Sequence, residues 1–490
     1  MSASFLICGA GPVGLVMALE LASFGISVRI VDKNNARTDK SKALAVWSRT
    51  LEQLERSGSA SALVDAGRKT RAARIMSAGD TIARIAFDEL DSPFPFVLMV
   101  PQSETERVLE ERLASLGVRV ERNVELVDFI DTGPTVSCRL LTADGAEEEA
   151  VVNWLIGCDG AHSTVRHKLG FEFDGETVPG KFVLADVHVD GLQIPEDEFP
   201  IFWHRRGIVA FFPIGPRRFR VIADLGAEGA DGPTLELVQS IVDQRGPGGL
   251  TLSDAVWIAP FTINERKVKD FRAGRVFLAG DSAHVHSPAG GQGMNTGIQD
   301  AVNLAWKLAL ACEGKVDAEL LLESYSVERS ANAAQVLKDS GRMLRVGTMP
   351  NAAAQIVRNF LIHSLFGLSA VKHLAAEQLS ELSVHYAESP LNGVAAARLS
   401  FPHPGHRLLV EARFQAALAP RFTLIASDEV EARARLRDHM HLIGDDIRDP
   451  QGMSGICVVR PDGYVAMTAA NGGWADVSAY FDRISGRAFS

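Results

Sequence analysis

Asp281 and the glycines downstream of it are the residues of this chain whose types and spacing best suit chemistry. In R-V-F-L-A-G-D-S-A-H-V-H-S-P-A-G-G-Q-G-M-N, Arg275 to Asn295, a short apolar run ends at Gly280 and a carboxylate follows. Open α/β sheets bind ligands beyond the carboxyl ends of their strands, so an acid there can accept hydrogen bonds from ligand hydroxyls. Bare backbone from Pro288 to Gly293 suits close approach to something flat or charged. From about Gln292 the pattern turns helical, with Met294, Ile298, Ala301, Ala305 and Leu308 on one face. A helix that starts inside such a loop aims unpaired N–H groups at the loop's contents and favours negative charge there by about 0.3–1 kcal/mol. The chemistry is binding of an anionic, hydroxyl-bearing guest.

The elements that must position these groups begin at the amino end. Ser4 to Cys8 reads as an apolar strand leading into Gly9-Ala10-Gly11-Pro12-Val13-Gly14, then a helix from Pro12 to about Phe24, then a strand from Val28 that ends in Asp32. This G-x-G-x-x-G sits where it has meaning, with glycines for a tight turn, pyrophosphate access and helix-strand packing, and an acid for ribose hydroxyls. It predicts an ADP-containing dinucleotide and leaves NAD and FAD both open. A reduced flavin, whose charge gathers on one ring edge and whose ribityl chain carries hydroxyls, suits the second site at Asp281. A third turn, Gly157 to Arg166, again places an acid at a strand end, Asp159, with Arg166 as a hydrogen-bonding companion near the cofactor or as half of a salt-bridged turn. Arg49, near the start of a helix, either neutralises pyrophosphate or is solvated. Gln102, before the helix Ser103 to Leu116, either binds ligand or caps that helix.

Composition bounds the rest. The 490 residues suffice for two or three domains, and 46% hydrophobic content supports large cores. A formal charge of −11 leaves no basic field for nucleic acid or anionic lipid, so small molecules are the expected partners. The five cysteines have neither C-x-x-C nor zinc spacing, which fits a reducing cytoplasm. No basic leader precedes the first strand, and no apolar run approaches the roughly 18 residues that span a bilayer. His284 with His286, and His439 with His441, lack a third ligand at suitable spacing, so no metal is expected. Nucleophile signatures of the G-x-S-x-G and H-E-x-x-H kinds are absent.

The pattern predicts an α/β protein built on a discontinuous Rossmann-like dinucleotide domain, residues 1–172 and 263–390. An inserted, mainly antiparallel sheet over 173–262 has strands with no helix between them, and its Phe202, Trp203, Phe211 and Phe212 are candidate pocket walls. After Leu308 the chain reads helical to about Tyr386 with a break at Gly347–Pro350; its apolar stretch Ile356 to Leu368 either covers the pocket or makes a homodimer face. Phe401 to Gly405 is a Pro/Gly linker opening a small α/β unit within 398–490. That unit has a strand at Phe422–Ala426, a helix at Asp428–Met440, a hairpin at Ile456–Met467 and a last helix at Trp474–Ile484.

Taken together, Gly9–Gly14, Gly157–Arg166 and Gly280–Asn295 are the G-x-G-x-x-G, D-G and G-D motifs in the order typical of FAD-dependent aromatic hydroxylases. Over residues 1–390 the chain resembles this single-component class of flavoprotein monooxygenase. R-P-D-G-Y-V-A, Arg460 to Ala466, resembles the thioredoxin-like domain of the phenol and polyketide hydroxylase branch, without its C-x-x-C. The resemblance implies FAD held by Gly9, Gly11, Pro12, Val13 and Gly14, by Asp32 on the adenosine ribose with Lys33 beside it, and by Lys42, Arg49 and Gln102. It implies further contacts from Asp159, Arg166, Gly280 and Asp281, with backbone N–H groups of the loop Gly291, Gly293, Met294 and Asn295 at the flavin ring and the Pro288 carbonyl near its reacting edge. Lys42 departs from the arginine of many relatives, replacing a planar fork by a point charge.

The implied chemistry is that NADH or NADPH, docking transiently, reduces FAD. The reduced flavin captures dioxygen at C4a, and the hydroperoxide passes one oxygen to an electron-rich phenolic or polycyclic, polyketide-type ring. His286, His204 and Arg205 are candidates for a base, each with an ordinary loop or sheet role as the alternative. Baeyer–Villiger oxygenation, another flavin oxidoreductase activity and a non-catalytic flavin-loaded aromatic-binding protein are the competing readings. The W-x-W-x-I-P run of flavin-dependent halogenases is missing.

Overall fold

Phe5–Cys8, buried at every position, is a central strand of a six-stranded sheet in the computed structural model, which describes residues 4–38, 43–225, 232–349, 351–393, 401–409 and 420–486. The order is Arg272–Ala273, Val276–Leu278, Trp154–Gly157, Phe5–Cys8, Val28–Asp32, Val120–Arg122. All neighbours are parallel except the first pair. Strands covered on both faces must be apolar throughout, and F-L-I-C, W-L-I-G and V-F-L are. Three strands from distant parts of the sequence thus end side by side. Phe5–Cys8, Trp154–Gly157 and Val276–Leu278 deliver the three glycine turns to one edge.

The second large sheet has seven strands in the order Thr251–Phe261, Phe182–Asp190, Arg218–Asp224, Gly207–Gly215, Glu198–His204, Ala72–Ser77, Asp80–Ala86. It is not confined to 173–262, because Glu198–His204 pairs in parallel with Ala72–Ser77 and so recruits a hairpin from the first segment. Nor is that span free of helix. Thr234 accepts from the Leu237 amide and starts Leu235–Arg245, whose Val238, Ile241 and Val242 cover Val183, Ala185, Val187, Val209 and Phe211. The alternating set faces the other way.

The helices Gly293–Glu313 and Ala318–Gly347 lead to Ala352–Leu365 and Ser369–Leu379. The last unit is a four-stranded sheet ordered Ile447–Arg448, Thr423–Ile425, Ile456–Val459, Val465–Ala469, backed by Trp474–Ile484. The strand Ile447–Arg448 carries no signal in the sequence. The helix expected over Asp428–Met440 is broken at Leu436, where the backbone leaves helical geometry (φ −108°, ψ 24°), into Glu429–Arg435, a tight turn and Met440–Ile443. The core of this unit is continuous with Trp306, Leu310 and Leu321 of the preceding helices. No helix among the described residues is long and apolar enough to cross a membrane.

Candidate flavin site

Steric fit, more than hydrogen bonding, brings the three turns together. Gly9 (φ +98°) lies on the Cys158 carbonyl, where a Cβ would collide, and Gly14 packs on the Gly9 carbonyl and the Cys158 side chain. The Val13 side chain fills a notch between Gly280 of the third motif and Gly297 of the helix that follows: a Cβ on Gly280 would fall 2.8 Å from it and one on Gly297 2.7 Å. Gly11, by contrast, has nothing within 4 Å of its Cβ position, so its backbone faces open space. The helix Pro12–Ser23 starts there with no side-chain cap, and the amides of Val13 and Gly14 have no acceptor among the described residues. That is the bare, amide-lined surface a pyrophosphate requires.

Three acids ring this edge. Asp32 is buried and takes the Ala10 amide on Oδ2 at 2.7 Å and the Asn34 amide on Oδ1 at 2.8 Å, which pins the first turn while leaving lone pairs for ribose hydroxyls. Asp159 accepts from the Val165 amide at 3.2 Å, and its buried Oδ1 has no partner. Burial raises its pKa, an unfavourable placement that a ligand's hydrogen bond would relieve. Asp281 is exposed at the end of Val276–Leu278, within the short turn Gly280–Ser282. The expected pairing of Asp159 with Arg166 does not form. Arg166 donates to the carbonyls of Ser282 (3.1 Å) and Ala161 (2.8 Å) and stacks over Phe173, so it ties the second turn to the third instead of facing a ligand.

Asn295 and Trp47 organise the glycine loop. Asn295 Nδ2 donates to the carbonyls of Ala45 and Gly291, both at 2.9 Å, its Oδ1 accepts the Trp47 amide, and Trp47 Nε1 donates to the Gly290 carbonyl. A Cβ on Gly291 would approach Ala45 to 3.1 Å, so the loop lies directly on the short strand Ala45–Val46. The first helical amide with an internal acceptor is Thr296, bonded to Gln292; those of Gly293, Met294 and Asn295 have none among the described residues. Beneath them, Asp300 accepts from the Gly280 amide, His284 Nε2 and Arg329 Nε at 2.9, 2.8 and 2.6 Å, and Arg329 continues to the Thr296 carbonyl and Tyr386. Burial opposes the charge on Asp300, but Arg329 and His284 outweigh it and hold the acid below the usual carboxylate range. His284 is therefore a structural partner of Asp300. Among the described residues no three His, Cys, Asp or Glu side chains converge as a metal site.

His286 lies against Gly293, whose Cβ position is 3.7 Å from the ring. Its Nδ1 donates to the Ser287 carbonyl at 3.1 Å, leaving the Nε2 lone pair buried and unpartnered. Burial and then His284 lower its pKa to about 4, which makes it a hydrogen-bond acceptor and a poor base at neutral pH. Pro288 is exposed, and its carbonyl accepts the Gly291 amide in the loop turn.

Other expected ligands stand elsewhere. Arg49 is buried against the C-terminal unit: Nη1 bonds Glu52 at 3.0 Å, Nη2 the Asp462 carbonyl at 2.8 Å, and the guanidinium stacks 4.7 Å over Tyr464. A pyrophosphate role would require it to abandon all three. Gln102 neither caps its helix nor stands apart; it accepts the Ala43 amide and donates to Glu106, bracing the segment that precedes Ala45. Arg205 lies in the exposed turn joining Glu198–His204 to Gly207–Gly215, with His204 accepting from the Arg206 amide, so neither is joined to the glycine loop. Lys33 is exposed beside Asp32, and Lys42 lies outside the described residues. Sequence reasoning passed over Trp47, Asp300 and Arg329. The available signal was the polar row Thr296, Gln299, Asp300, Asn303, Lys307 on a helix whose opposite face is apolar, a row that is buried as well.

Two uncapped helix starts, hydroxyl-accepting acids and a backbone cradle too tight for Cβ atoms fit one long dinucleotide with an anionic, hydroxyl-bearing middle. A family model described as FAD binding domain matches residues 2–340. The 6-methylpretetramide 4-monooxygenase of Streptomyces rimosus is 34% identical, the match covering 97% of this chain and 92% of that one. The 12-dehydrotetracycline 5-monooxygenase/anhydrotetracycline 6-monooxygenase of Streptomyces rimosus subsp. rimosus is 33% identical over 95% of both. Among solved structures, CabE, an aromatic hydroxylase from angucycline biosynthesis, is 29% identical and superposes over 100% of both chains with a TM-score of 0.80. The chain belongs to the FAD-dependent aromatic monooxygenase family, and its cofactor is FAD.

Proposed function

We propose that this chain hydroxylates a phenolic or polycyclic, polyketide-type aromatic ring, using NADH or NADPH and dioxygen. The observation that carries the substrate class is the apolar cluster shared by the flavin loop and the second sheet. Ala289, Ile208 and Phe261 all pack against a buried cluster of Phe182, Ile263 and Leu344, and the rings of Phe182 and Phe261 stack 5.5 Å apart. Flat aromatic surface beside the loop that meets the cofactor suits a flat apolar ring and keeps water from it. The names of the relatives, which act on 6-methylpretetramide, 12-dehydrotetracycline and anhydrotetracycline, support a multi-ring substrate.

Bound FAD supplies the electron transfer and oxygen chemistry that side chains lack. The chain's own part is binding and orientation. Gly9, Gly11, Pro12, Val13 and Gly14 admit the pyrophosphate, Asp32 takes the adenosine ribose, and Gly280, Asp281 and Asp159 serve the ribityl side. Gly291, Gly293, Met294 and Asn295 face the ring, and the second lone pair of the Pro288 carbonyl is left to orient substrate polar groups, while His286 supports the loop beneath Gly293.

The finer architecture belongs to the same reading. In the last unit the second strand lies beside the first, then come the third and fourth, with only the first two parallel, an order that supports a thioredoxin-like domain. It retains no C-x-x-C, so its role is structural. Exposed Ile356, Val357, Phe360, Leu361, Leu365 and Leu368 on one outer face support a homodimer, and five unpaired thiols support a cytoplasmic setting.

The test is NAD(P)H consumption stimulated by polycyclic phenols, with oxygen-18 from dioxygen incorporated into the product. Incorporation as an aryl hydroxyl confirms hydroxylation; incorporation as an ester or lactone oxygen would indicate Baeyer–Villiger chemistry instead. Tight binding of such ligands, with NAD(P)H oxidation unchanged and no labelled product, would overturn it.

A further inference from the structure

Glu381 has no part in the site as described so far, yet its geometry is costly. It follows the helix Ser369–Leu379, is 2% exposed, and holds a left-handed backbone at φ +61°. Glycine would adopt that conformation without strain, whereas a side chain there needs the surroundings to enforce it. The surroundings are the flavin helix. Thr296 Oγ1 donates to one carboxyl oxygen at 3.1 Å and Gln299 Nε2 to the other, so the acid grips the first two turns of Gly293–Glu313. The same segment touches the glycine loop elsewhere. Gln292 Nε2 donates to the Gln378 carbonyl at 3.0 Å, and Leu379 lies 3.5 Å from the Cβ position of Gly290.

We propose that Glu381 is a positioning residue for FAD: its buried carboxyl clasps Thr296 and Gln299 and thereby fixes where the amide-bearing first turn, Gly293 to Asn295, meets the cofactor. The charged groups facing it are Arg329 from Ala318–Gly347 and Asp300 from the flavin helix, with His284 and Tyr386 joined to these two. Burial outweighs the help of Thr296 and Arg329 and raises the pKa of Glu381 to about 8, so the clasp is an uncharged acid at neutral pH. Neutrality suits the position, since an anion there would oppose the negative charge that the helix start receives. As pH rises through about 8 the acid ionises and FAD binding weakens; reciprocally, bound FAD holds the proton on.

The experiment measures FAD dissociation constants by flavin fluorescence from pH 6.5 to 9.5 for flavin-stripped wild type, Glu381→Gly and Glu381→Gln, with melting curves of each. Glycine relieves the left-handed backbone, which offsets part of the cost of stranding the Thr296 hydroxyl and the Gln299 amide, so that variant still folds; it binds FAD about tenfold more weakly and shows a shifted flavin absorption band. Glutamine keeps the clasp without the charge. Its affinity matches wild type at pH 6.5 and stays flat where wild type falls. A glycine variant with wild-type affinity and spectrum, or a glutamine variant that weakens with pH in parallel with wild type, would overturn the proposal.

Discussion

Arg460 joins the C-terminal unit to the flavin helices through a buried guanidinium bonded to two acids, and removing it tests that dependence. Its guanidinium donates to both oxygens of Glu328 at 2.6 and 2.9 Å and to both of Asp462 at 3.0 and 2.6 Å. Lys307 adds a second cation at 2.8 Å from Glu328, and all four side chains are at most 1% exposed. Two negative and two positive charges cancel. In Arg460→Met the volume stays but two buried carboxylates share one cation. Glu328 keeps Lys307, Asn303 and Ser389, whereas Asp462 keeps, among the described residues, an Asn303 contact of 3.3 Å. Breaking a buried pair from one side costs about 3–5 kcal/mol, and the three donors left on Glu328 place this case near 3. Adding Asp462→Asn removes the stranded charge, so the double variant should recover about 1–2 kcal/mol against additivity. Denaturant unfolding followed by tryptophan fluorescence reads both, since Trp306 lies 5.3 Å from the guanidinium. A loss below about 0.5 kcal/mol, or strict additivity, would refute the claim that the bridge binds the two parts.

Three further outcomes follow from the site. Gly297→Ala puts a Cβ 2.7 Å from Val13 and 3.1 Å from the Gly280 Cα, an overpacking cost of about 1–3 kcal/mol; Val13→Ala in the same chain should restore much of it in melting curves. Asp281→Ala should weaken FAD binding by about 10- to 100-fold in fluorescence titration, the loss of one charge-assisted hydrogen bond. His286 has a folded pKa of about 4 against about 6.5 unfolded, so its contribution to stability is complete above pH 6.5 and is lost as pH falls toward 4. His286→Asn should flatten that part of the stability curve, and an imidazole NMR signal titrating near 6.5 would contradict the burial argument.

Legibility in the sequence tracked how local each constraint was. Gly9, Gly14 and Gly280 were readable because a tight turn at a strand end imposes glycine wherever it occurs, and the apolar strands before them were readable because both faces are covered. Asp32, Asp159 and Asp281 followed from the same strand ends. Arg49 was not readable: near the start of a helix, an arginine looks the same whether it meets a phosphate or the Asp462 carbonyl, 413 residues away in sequence. The hairpin Ala72–Ala86 was not read at all, and its partner Glu198–His204 lies more than a hundred residues away, beyond any local pattern. Arg166 was assigned to the right junction and the wrong acceptor, because backbone carbonyls such as that of Ser282 leave no trace in sequence.

What the sequence hides is also what holds the site in register. The glycines remove steric obstacles without fixing position, and the helix Gly293–Glu313 is fixed by three polar contacts to two other segments: Asn295 to the backbone at Ala45, and both Asp300 to Arg329 and Asn303 with Lys307 to Glu328 on the helix Ala318–Gly347. Each is buried, so each costs more to break than an exposed pair, and a slip of one turn along the helix would break all three at once. The first-turn amides can therefore bind an anion without the helix end shifting to meet it, which is the preorganisation that makes fixed dipoles effective.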